Sequence, residues 1–484
     1  RGGGGARRAV TPGPPEGGRP RQVLAAVMAG AILGPIDGSI VNVVLPTLVD
    51  AFGTSLASVQ WVPMAYLLAS GGLVLVFGRL GDLRGPRAVF LGGLLGYVAA
   101  SALCASAPTI ETLVAFRVLQ GVASAAMTSV PLAILTATFP PAERGRAIGL
   151  FAASISVGLA IGPSLGGFLT ATFGWRAVFL VNLPIGLAAW AYARRVLPEV
   201  PVRPGRLDLP GAAAALVALG SALLWVNLAQ RPGPAPHGLL LLALLAGAAF
   251  LLREQRAAEP MVALSLFRSG AVSFGASASV LSFMAQFVVV FLTPFLLVRV
   301  LGAGPGRVGL VLTAFPLAVL AVAPFAGALS DRIGSVRPAV AGSLLSATAC
   351  ALLAKMPPDA GPLAVAVRLA LFGVGTGLFQ SPNNSSVMGS APREHLGVAG
   401  SLLGTARTLG MVLGIAAAGA VLYAFVPPSA LGADGTTPPL AAELASGVRR
   451  AYAAGAGFAL LSAALAAAPA LARRAGRTGG PAIP

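Results

Sequence analysis

The residue best suited to chemistry is Asp37, a carboxylate in the middle of the apolar segment 23–48. A charged side chain at the centre of a bilayer costs about 2.5 to 3.5 kcal/mol even on the mildest scale. Pro35 removes one backbone donor beside it, and Gly34 and Gly38 weaken the adjacent turns. This pattern predicts a proton site in a locally weakened helix. The alternative is a carboxylate that only satisfies the broken backbone near Pro35.

Arg117 is the natural counter-charge for Asp37. It lies in the run LVAFRVLQGVAS, about 12 Å below the start of its helix if that helix begins near Thr109. An unpaired guanidinium at that depth would be costly. We predict a competition in which Arg117, directly or through Gln120 or water, favours ionised Asp37, whereas a dry cavity favours the protonated acid. Proton entry from outside and release inside would then supply energy.

The elements that must position these two residues are membrane-spanning helices. The chain has 484 residues, of which 56% are hydrophobic and only 10% are charged. Its apolar runs repeat at the length that crosses about 30 Å of hydrocarbon, which predicts an all-α, polytopic membrane protein. The eighth of fourteen candidate runs is short, and to span it needs bilayer thinning, snorkelling of Arg253 or extension into Ala235 and Pro236. The runs are 23–48, 59–78, 88–107, 109–138, 147–170, 177–193, 209–228, 238–252, 271–298, 308–329, 336–354, 362–389, 399–426 and 451–472. We number them as spans 1 to 14.

The distribution of positive charge supports fourteen spans. With a cytoplasmic N-terminus, the inner loops and adjoining helix ends hold 23 of the 33 Lys and Arg residues and the outer ones hold eight, while Arg117 and Arg407 lie deep within spans. This asymmetry is what the positive-inside rule requires. It accounts for the net charge of +18 without a nucleic-acid partner. Both termini are therefore predicted to be cytoplasmic.

Two loops repeat in register and predict a duplicated bundle. GRLGDLRGPR follows span 2 and GALSDRIGSVR follows span 10, and both place Gly, an acid and Arg at similar spacing, although short cytoplasmic loops are often rich in these residues. We therefore predict two pseudo-symmetric six-helix bundles with two inserted helices. The predicted boundaries are a disordered basic tail at 1–21, bundles at 22–198 and 269–472, inserted spans at 199–268 and a cytoplasmic tail at 473–484.

Polar residues on otherwise apolar spans are candidates for substrate contact. Asn and Gln within a bundle also serve as hydrogen-bond partners between helices, worth about 0.6 to 2 kcal/mol. The candidate Arg407 is open to two further interpretations, a cytoplasmic-side gate or a satisfied structural charge. The candidates are Asn42, Gln120, Gln286, Gln380, Asn383, Asn384 and Arg407.

Other energy sources and sites lack the residues they need. A phosphate-binding loop requires Gly-Lys-Ser/Thr, but the one lysine, Lys355, precedes Met356. The glycine run at 373–377 lies in an apolar span without a preceding strand, which indicates packing. The two histidines lie far from any ligand cluster, so we predict no metal and no cofactor, with a proton gradient as the energy source.

With these features together, the chain resembles the major facilitator superfamily, and within it the fourteen-span drug:proton antiporter branch. GRLGDLRGPR is similar to the superfamily signature between spans 2 and 3, matching Gly78, Asp82, Gly85 and Arg87; Asp331 and Arg332 follow the same pattern in the second half. The resemblance implies that this loop braces the cytoplasmic ends of the two halves. Asp82 would accept from backbone N–H groups at a helix start or pair with Arg.

Span 5 carries GLAIGPSLGGFL, which resembles the antiporter signature. Glycines every four residues make a bare groove on one helix face, and a proline interrupts the hydrogen bonds beside it. Ordinary glycine-mediated packing is the alternative on spacing alone. The matching residues are Gly158, Gly162, Pro163, Gly166 and Gly167.

Further segments resemble the fourteen-span branch. They are WRAVFLVNLPIG at the start of span 6, QSPNNSSVMGSAP at the end of span 12, and Asp37, Asn42 and Pro46 in span 1. The chain departs from the branch in having Gly38 and Ser39 after Asp37. Span 10 also lacks the second acid that some relatives use for cationic substrates.

The resemblance implies proton-coupled efflux of amphipathic drugs or antibiotics by alternating access. A solute importer or lipid exporter on the same scaffold is the first alternative, since fold analogy alone does not fix a substrate. A polytopic membrane enzyme would need a cluster of His, Asp, Ser or Cys at one membrane face, which the sequence lacks, and a passive channel would not need Asp37. Arg-, Ala- and Gly-rich usage is typical of GC-rich bacteria, so we expect the plasma membrane as the location. We also expect a monomer, with protons, the lipid bilayer and a small amphipathic substrate as its partners.

Overall fold

The computed structural model describes residues 20–200, 202, 209–228, 235–256, 269–357, 360–390, 396–432 and 438–478. These residues form helices and connecting turns, without a β-strand among them. Thirteen of the described helices are long and apolar enough to cross a membrane, so the prediction of an all-α polytopic protein is confirmed. Of the predicted N-terminal tail, residues 1–19 lie outside the described part, and Pro20 begins the first helix.

Spans 1 to 6 form the first half, and four of them are interrupted near proline. Span 1 breaks at Ile32, because Pro35 has no N–H to donate to the carbonyl of Ala31. The helices are Pro20–Ala31 and Leu33–Phe52 in span 1, Leu56–Val59 and Trp61–Arg84 in span 2, Pro86–Ser106 in span 3, Ile110–Ser129 and Pro131–Thr138 in span 4, Pro141–Phe173 in span 5, and Ala177–Leu180 and Asn182–Val196 in span 6.

Spans 7 and 8 are the inserted pair. Span 8 was predicted to be short at 238–252, but the helix Ala235–Arg256 has 22 residues because it takes in Pro236 at its first turn, where a missing N–H costs nothing. Span 7 is the helix Leu209–Leu228, which is not among the thirteen. It packs along span 8 and also contacts spans 2 and 13.

Spans 9 to 14 form the second half. Span 9 ends in a π-helical turn, Leu296–Val300, after Pro294. Span 14 is longer than predicted at both ends and continues into the predicted C-terminal tail as far as Thr478. The helices are Gly270–Phe295, Pro305–Ile333, Val336–Ala354, Pro362–Gly389, Leu396–Phe425 and Pro438–Thr478.

The two halves repeat one packing scheme. Span 1 packs on span 5, span 2 on span 4, and span 3 on spans 4 and 6; the same partners recur eight spans later, with 9 on 13, 10 on 12, and 11 on 12 and 14. The backbone repeats as well. Gly53 and Gly302 turn with positive φ after spans 1 and 9, and Gly85 and Gly334 do so after spans 2 and 10. The predicted duplication is therefore visible in the fold.

The hydrophobic cores of the two halves merge at one end of the bundle. We call the end that holds Arg84 and Thr478 the arginine-rich end, and the opposite end the arginine-poor end. At the arginine-poor end a single core combines residues of both halves, such as Leu45 and Leu48 with Leu292. At the arginine-rich end the described residues form separate cores, one within residues 23–197 and two small ones within the second half. We call the region between these separate cores the crevice.

Candidate functional site

Asp37 lies five residues beyond the break in span 1. Ser39 occupies the weakened turn, with its hydroxyl donating to the carbonyl oxygens of Pro35 at 2.8 Å and Ile36 at 3.0 Å. The Asp37 side chain instead points into the first half and has no exposed surface. Among the described residues, its hydrogen-bond partners are all side chains of other spans. A carboxylate that only satisfied the broken backbone near Pro35 would instead bond to its own helix.

Three donors surround the Asp37 carboxylate. Oδ2 accepts from Arg117 Nη1 at 2.6 Å, which is also an ion pair. Oδ1 accepts from Gln120 Nε2 at 3.1 Å and from Asn182 Nδ2 at 3.0 Å. The acid of span 1 is thereby tied to spans 4 and 6, and the direct pairing with Arg117 agrees with the predicted counter-charge.

Arg117 is held by its own span and by span 2. Thr109 caps the helix through a capping box with Thr112, so span 4 begins near Thr109, as the sequence analysis supposed. The Arg117 Nε donates to the carbonyl of Val62 at 3.1 Å, and the guanidinium carbon lies 4.3 Å from the centre of the Tyr66 ring. Arg117 Nη1 also donates to Gln120 Oε1 at 2.6 Å.

A second layer of polar groups closes the network. Gln120 Nε2 donates to Ser101 Oγ at 2.9 Å, and the Cys104 thiol lies 3.7 Å from Gln120 Oε1. A buried ion pair is tolerated best when its remaining donors and acceptors are satisfied, and here both Asp37 oxygens and the Nε and Nη1 of Arg117 have partners. Because Asp37, Arg117 and Gln120 have no exposed surface, proton exchange with water requires a change of conformation.

Sequence reasoning missed two members of this network, Asn182 and Ser101. Asn182 stands in the apolar run FLVNLPIG just before Pro184, so a polar residue beside a helix interruption was the available signal. Its Oδ1 is buried and has no hydrogen-bond partner among the described residues. Ser101 lies in a run of small residues in span 3 and carried no signal of its own.

Three of the predicted substrate contacts are buried in this conformation. Asn42 donates to the carbonyl of Gly38 in its own helix at 2.8 Å. Gln120 belongs to the Asp37 network. Asn383 joins span 12 to span 9 through Ser279 Oγ at 2.9 Å and the carbonyl of Gly275 at 3.1 Å. None of the three is open to a substrate here, because helix packing turned them inward.

The remaining candidates retain solvent contact. Gln380 donates to Gln286 across spans 12 and 9 at 3.1 Å, and both side chains are half-buried. Asn384 and Arg407 are exposed. These four polar side chains of the second half are therefore accessible in this conformation.

The loop after span 2 is stabilised within the first half. Gly85 adopts a φ of 91°, which an L side chain rarely adopts. Asp82 does not cap a helix and instead lies 3.7 Å from Arg79 one turn earlier. Arg87 pairs with Glu199 and donates to the carbonyl of Arg194 at 2.8 Å. Bracing of both halves by this loop stays a prediction, as does the role of the exposed pair Asp331 and Arg332.

The glycines of span 5 face two different helices. Gly158, Gly162 and Gly166 lie against span 1, where a Cβ on Gly166 would come within 3.1 Å of Ile40 Cα. Gly167 instead faces span 10, and a Cβ there would lie 2.9 Å from Gly309 Cα. The glycine groove beside Pro163 thus packs on the helix that carries Asp37. Gly167, outside that groove, lies where span 5 meets span 10 of the other half.

An ion pair that the sequence did not predict closes the arginine-poor end. Asp50 at the end of span 1 pairs with Arg299 at the end of span 9. The same sequence interval separates Gly53 from Gly302, so the two charges occupy equivalent positions in the halves. Ser164 and Thr313 add a hydrogen bond of 2.7 Å between spans 5 and 10.

Comparison with known proteins agrees with this architecture. The family model "Major Facilitator Superfamily" matches residues 27–414 and 275–479. The riboflavin transporter RibZ of Clostridioides difficile (strain 630) is 32% identical over 81% of this chain and 86% of its own length. The tetracenomycin C resistance and export protein of Streptomyces glaucescens is 33% identical over 86% of this chain and 78% of its own length.

Solved structures share the fold at low sequence identity. The crystal structure of the POT family transporter PepTSo superimposes with a TM-score of 0.67 at 15% identity, covering 96% of this chain and 99% of that one. At this identity the likeness speaks for the fold alone. Family match, relatives and helix packing agree, and the chain belongs to the Major Facilitator Superfamily of transporters.

Proposed function

We propose that this chain is a proton-coupled antiporter that exports amphipathic drugs or antibiotics across the plasma membrane by alternating access. The observation that carries the proposal is the buried contact between Asp37 and Arg117 at membrane depth. Several relatives are named for resistance or export, including tetracenomycin C and methylenomycin A resistance proteins, which supports export of drug-like compounds.

The ion pair couples protonation to conformation through charge. While Asp37 is ionised, its charge balances Arg117, and together they bind span 1 to span 4. Protonation of Asp37 leaves the guanidinium uncompensated in a buried place, which costs several kcal/mol. The protonated state therefore favours a conformation in which water reaches this network.

Asn182 gives the network a partner for both protonation states. Its amide nitrogen now donates to Asp37 Oδ1, and its own Oδ1 has no described partner. A protonated Asp37 carries an O–H that needs an acceptor. Rotation of the Asn182 amide presents that oxygen, so loss of the charge reorganises the contact between spans 1 and 6.

Span 1 connects the network to the closure between the halves. It carries Asp37 in its middle and Asp50 at its end, and it packs on the bare face of span 5. By the positive-inside rule the arginine-rich end is cytoplasmic, so this conformation is closed to the outside. In the proposed cycle the proton has left toward the cytoplasm, and the crevice accepts the drug.

Proteoliposomes with an imposed pH gradient test the proposal. The wild type should accumulate amphipathic dyes against their gradient when the lumen is acidic, and an uncoupler should abolish this. Asp37→Asn should eliminate gradient-driven accumulation while preserving exchange of labelled for unlabelled dye. Glu111→Gln, the same change at an exposed helix start, should behave as the wild type. Undiminished accumulation by Asp37→Asn would refute proton coupling at this residue.

A riboflavin-type carrier is the second candidate, because the relative RibZ is similar over most of its length. Riboflavin is fluorescent and can be assayed in the same vesicles. Saturable riboflavin flux that is coupled to no proton movement, together with no dye transport, would favour this candidate. Flux of any probe that ignores both the uncoupler and Asp37 would instead indicate a passive channel.

A further inference from the structure

Arg407 is a cation on an accessible face of span 13. No described residue offers it a hydrogen bond or an ion pair, and its side chain is exposed. Gly400 and Gly404 lie on the same helix face, and nothing occupies the space within 4 Å of a Cβ built on either. The next residue, Thr408, packs against Gly71 of span 2. Arg407 therefore lies at the boundary between the halves.

The surroundings of Arg407 are those of a crevice wall. Its side chain keeps solvent-accessible surface, although the neighbouring residues pack on span 2 through Thr408 and on span 9 through Gly410. Both statements hold for a side chain that lines a narrow aqueous opening. Arg407 is eleven residues into the helix Leu396–Phe425, which places it about 16 Å from the arginine-rich end of that helix. A guanidinium at such depth needs water or a counter-charge.

The described residues supply no counter-charge at this depth in the second half. Among the described acids, only Asp37 lies in the middle of a span, and Arg117 already neutralises it. The residue of span 9 at the position equivalent to Asp37, Gln286, is an uncharged amide bonded to Gln380. The other described acids lie near helix ends or in loops: Asp50, Asp82, Glu111, Glu143, Glu199, Glu254, Asp331 and Glu443. Arg407 thus gives the crevice a net positive charge.

We infer that Arg407 binds an oxyanion of the transported compound, such as a carboxylate or a phenolate, and makes the crevice selective for anionic amphipathic molecules. The inference rests on the proposed transport function and specifies its substrate class. A planar guanidinium presents several N–H donors that match the two oxygens of a carboxylate. The uncharged amides of Gln286, Gln380 and Asn384 add donors and acceptors without opposing charge. Cations would meet uncompensated repulsion in the same space.

A structural role for Arg407 makes a different prediction. A satisfied structural charge would have partners in the protein, and its removal would leave those partners unpaired and the protein less stable. Here the guanidinium has no described partner, so Arg407→Gln should leave the unfolding temperature unchanged. The phosphate of an anionic lipid is the other source of an oxyanion, and the vesicle composition distinguishes it from a substrate.

The test uses one fluorophore with and without its single negative charge, namely 7-diethylaminocoumarin-3-carboxylate and its methyl ester. Binding to the purified protein in phosphatidylcholine nanodiscs is measured by fluorescence anisotropy, and transport is measured in phosphatidylcholine proteoliposomes. A hydrogen bond to a charged group is worth about 1.5 to 3 kcal/mol, so Arg407→Gln should weaken carboxylate binding roughly 10- to 100-fold and leave ester binding unchanged. Arg407→Lys should be intermediate. Arg195→Gln, which removes an exposed charge at the end of span 6, is the control.

Each outcome decides for or against the site. The oxyanion site would be overturned if the wild type bound acid and ester equally or preferred the ester. It would also be overturned if Arg407→Gln weakened binding of both equally. Carboxylate binding that disappears when phosphatidylglycerol is added would assign Arg407 to lipid phosphate and overturn it as a substrate site. Charge-dependent binding without any proton-driven transport would refute the proposed function and retain the oxyanion site.

Discussion

A double-mutant cycle on Asp37 and Arg117 measures how strongly the proposed proton site depends on its counter-charge. The perturbations are Asp37→Asn, Arg117→Gln and their combination. Asp37→Asn leaves a buried guanidinium that keeps two neutral acceptors, Gln120 Oε1 and the carbonyl of Val62. Arg117→Gln leaves a buried carboxylate that keeps donors from Gln120 and Asn182. Each single change therefore isolates one uncompensated charge.

The expected magnitudes follow from full burial of both side chains. Breaking a buried pair by removing one partner costs about 3 to 5 kcal/mol. Independent effects would give the double variant a loss of about 6 to 10 kcal/mol. The double variant contains neither charge, so we expect it to lose no more than either single variant. The interaction energy is then about 3 kcal/mol or more.

The assay is unfolding of the purified protein in mixed micelles, followed by the fluorescence of its four tryptophans. Asp37→Asn with Arg195→Gln serves as the control cycle, because Arg195 is exposed and lies at the far end of span 6. That pair should be additive within about 0.5 kcal/mol. Additivity of Asp37→Asn with Arg117→Gln to the same degree would refute the coupling of the two charges.

Transport separates a structural pair from a coupling pair. If the pair only stabilises the fold, the double variant should recover gradient-driven transport together with stability. If Asp37 carries the proton, the double variant should recover stability and remain uncoupled. The same proteoliposome assay of dye accumulation distinguishes these two results.

Two further predictions concern closure at the arginine-poor end. Gly309→Val should prevent closure, since even a Cβ at this position would lie 2.9 Å from Gly167 Cα. Transport should therefore stop. A cysteine introduced at Ser164 should react faster with an impermeant maleimide than it does without Gly309→Val. Native Cys104 and Cys350 are buried, and Gly92→Ala, which meets open space, should change neither readout. Asp50→Asn should loosen the same end by about 1 kcal/mol, or roughly fivefold in the open population, because Asp50 is 51% exposed while Arg299 is 5% exposed. The exchanged pair Asp50→Arg with Arg299→Asp should restore closure, and an unchanged maleimide rate in Asp50→Asn would contradict the role of this ion pair.

The sequence by itself determined the architecture, for a physical reason. In a bilayer every backbone group must be satisfied within its own helix, so apolar length predicts the spans and arginine distribution predicts their orientation. The duplicated loops and the isolated acid were also readable, because charges at membrane depth are too costly to occur without a partner or a function. For the short run of span 8 the sequence left three possibilities open, and the helix takes the extension into Ala235 and Pro236, because proline is well placed in the first turn of a helix.

Beyond the predicted pair of Asp37 with Arg117, tertiary structure decided which polar groups meet. Asn182 joined the carboxylate of Asp37 because span 6 packs beside spans 1 and 3, and no sequence pattern encodes that helix rotation. The same packing buried Asn42 and left Arg407 exposed, although both are polar residues in apolar runs. The ion pair of Asp50 with Arg299 likewise exists only because the two halves close at one end. Partners far apart in the chain are set by how helices turn and pack, whereas helices themselves are set by the membrane.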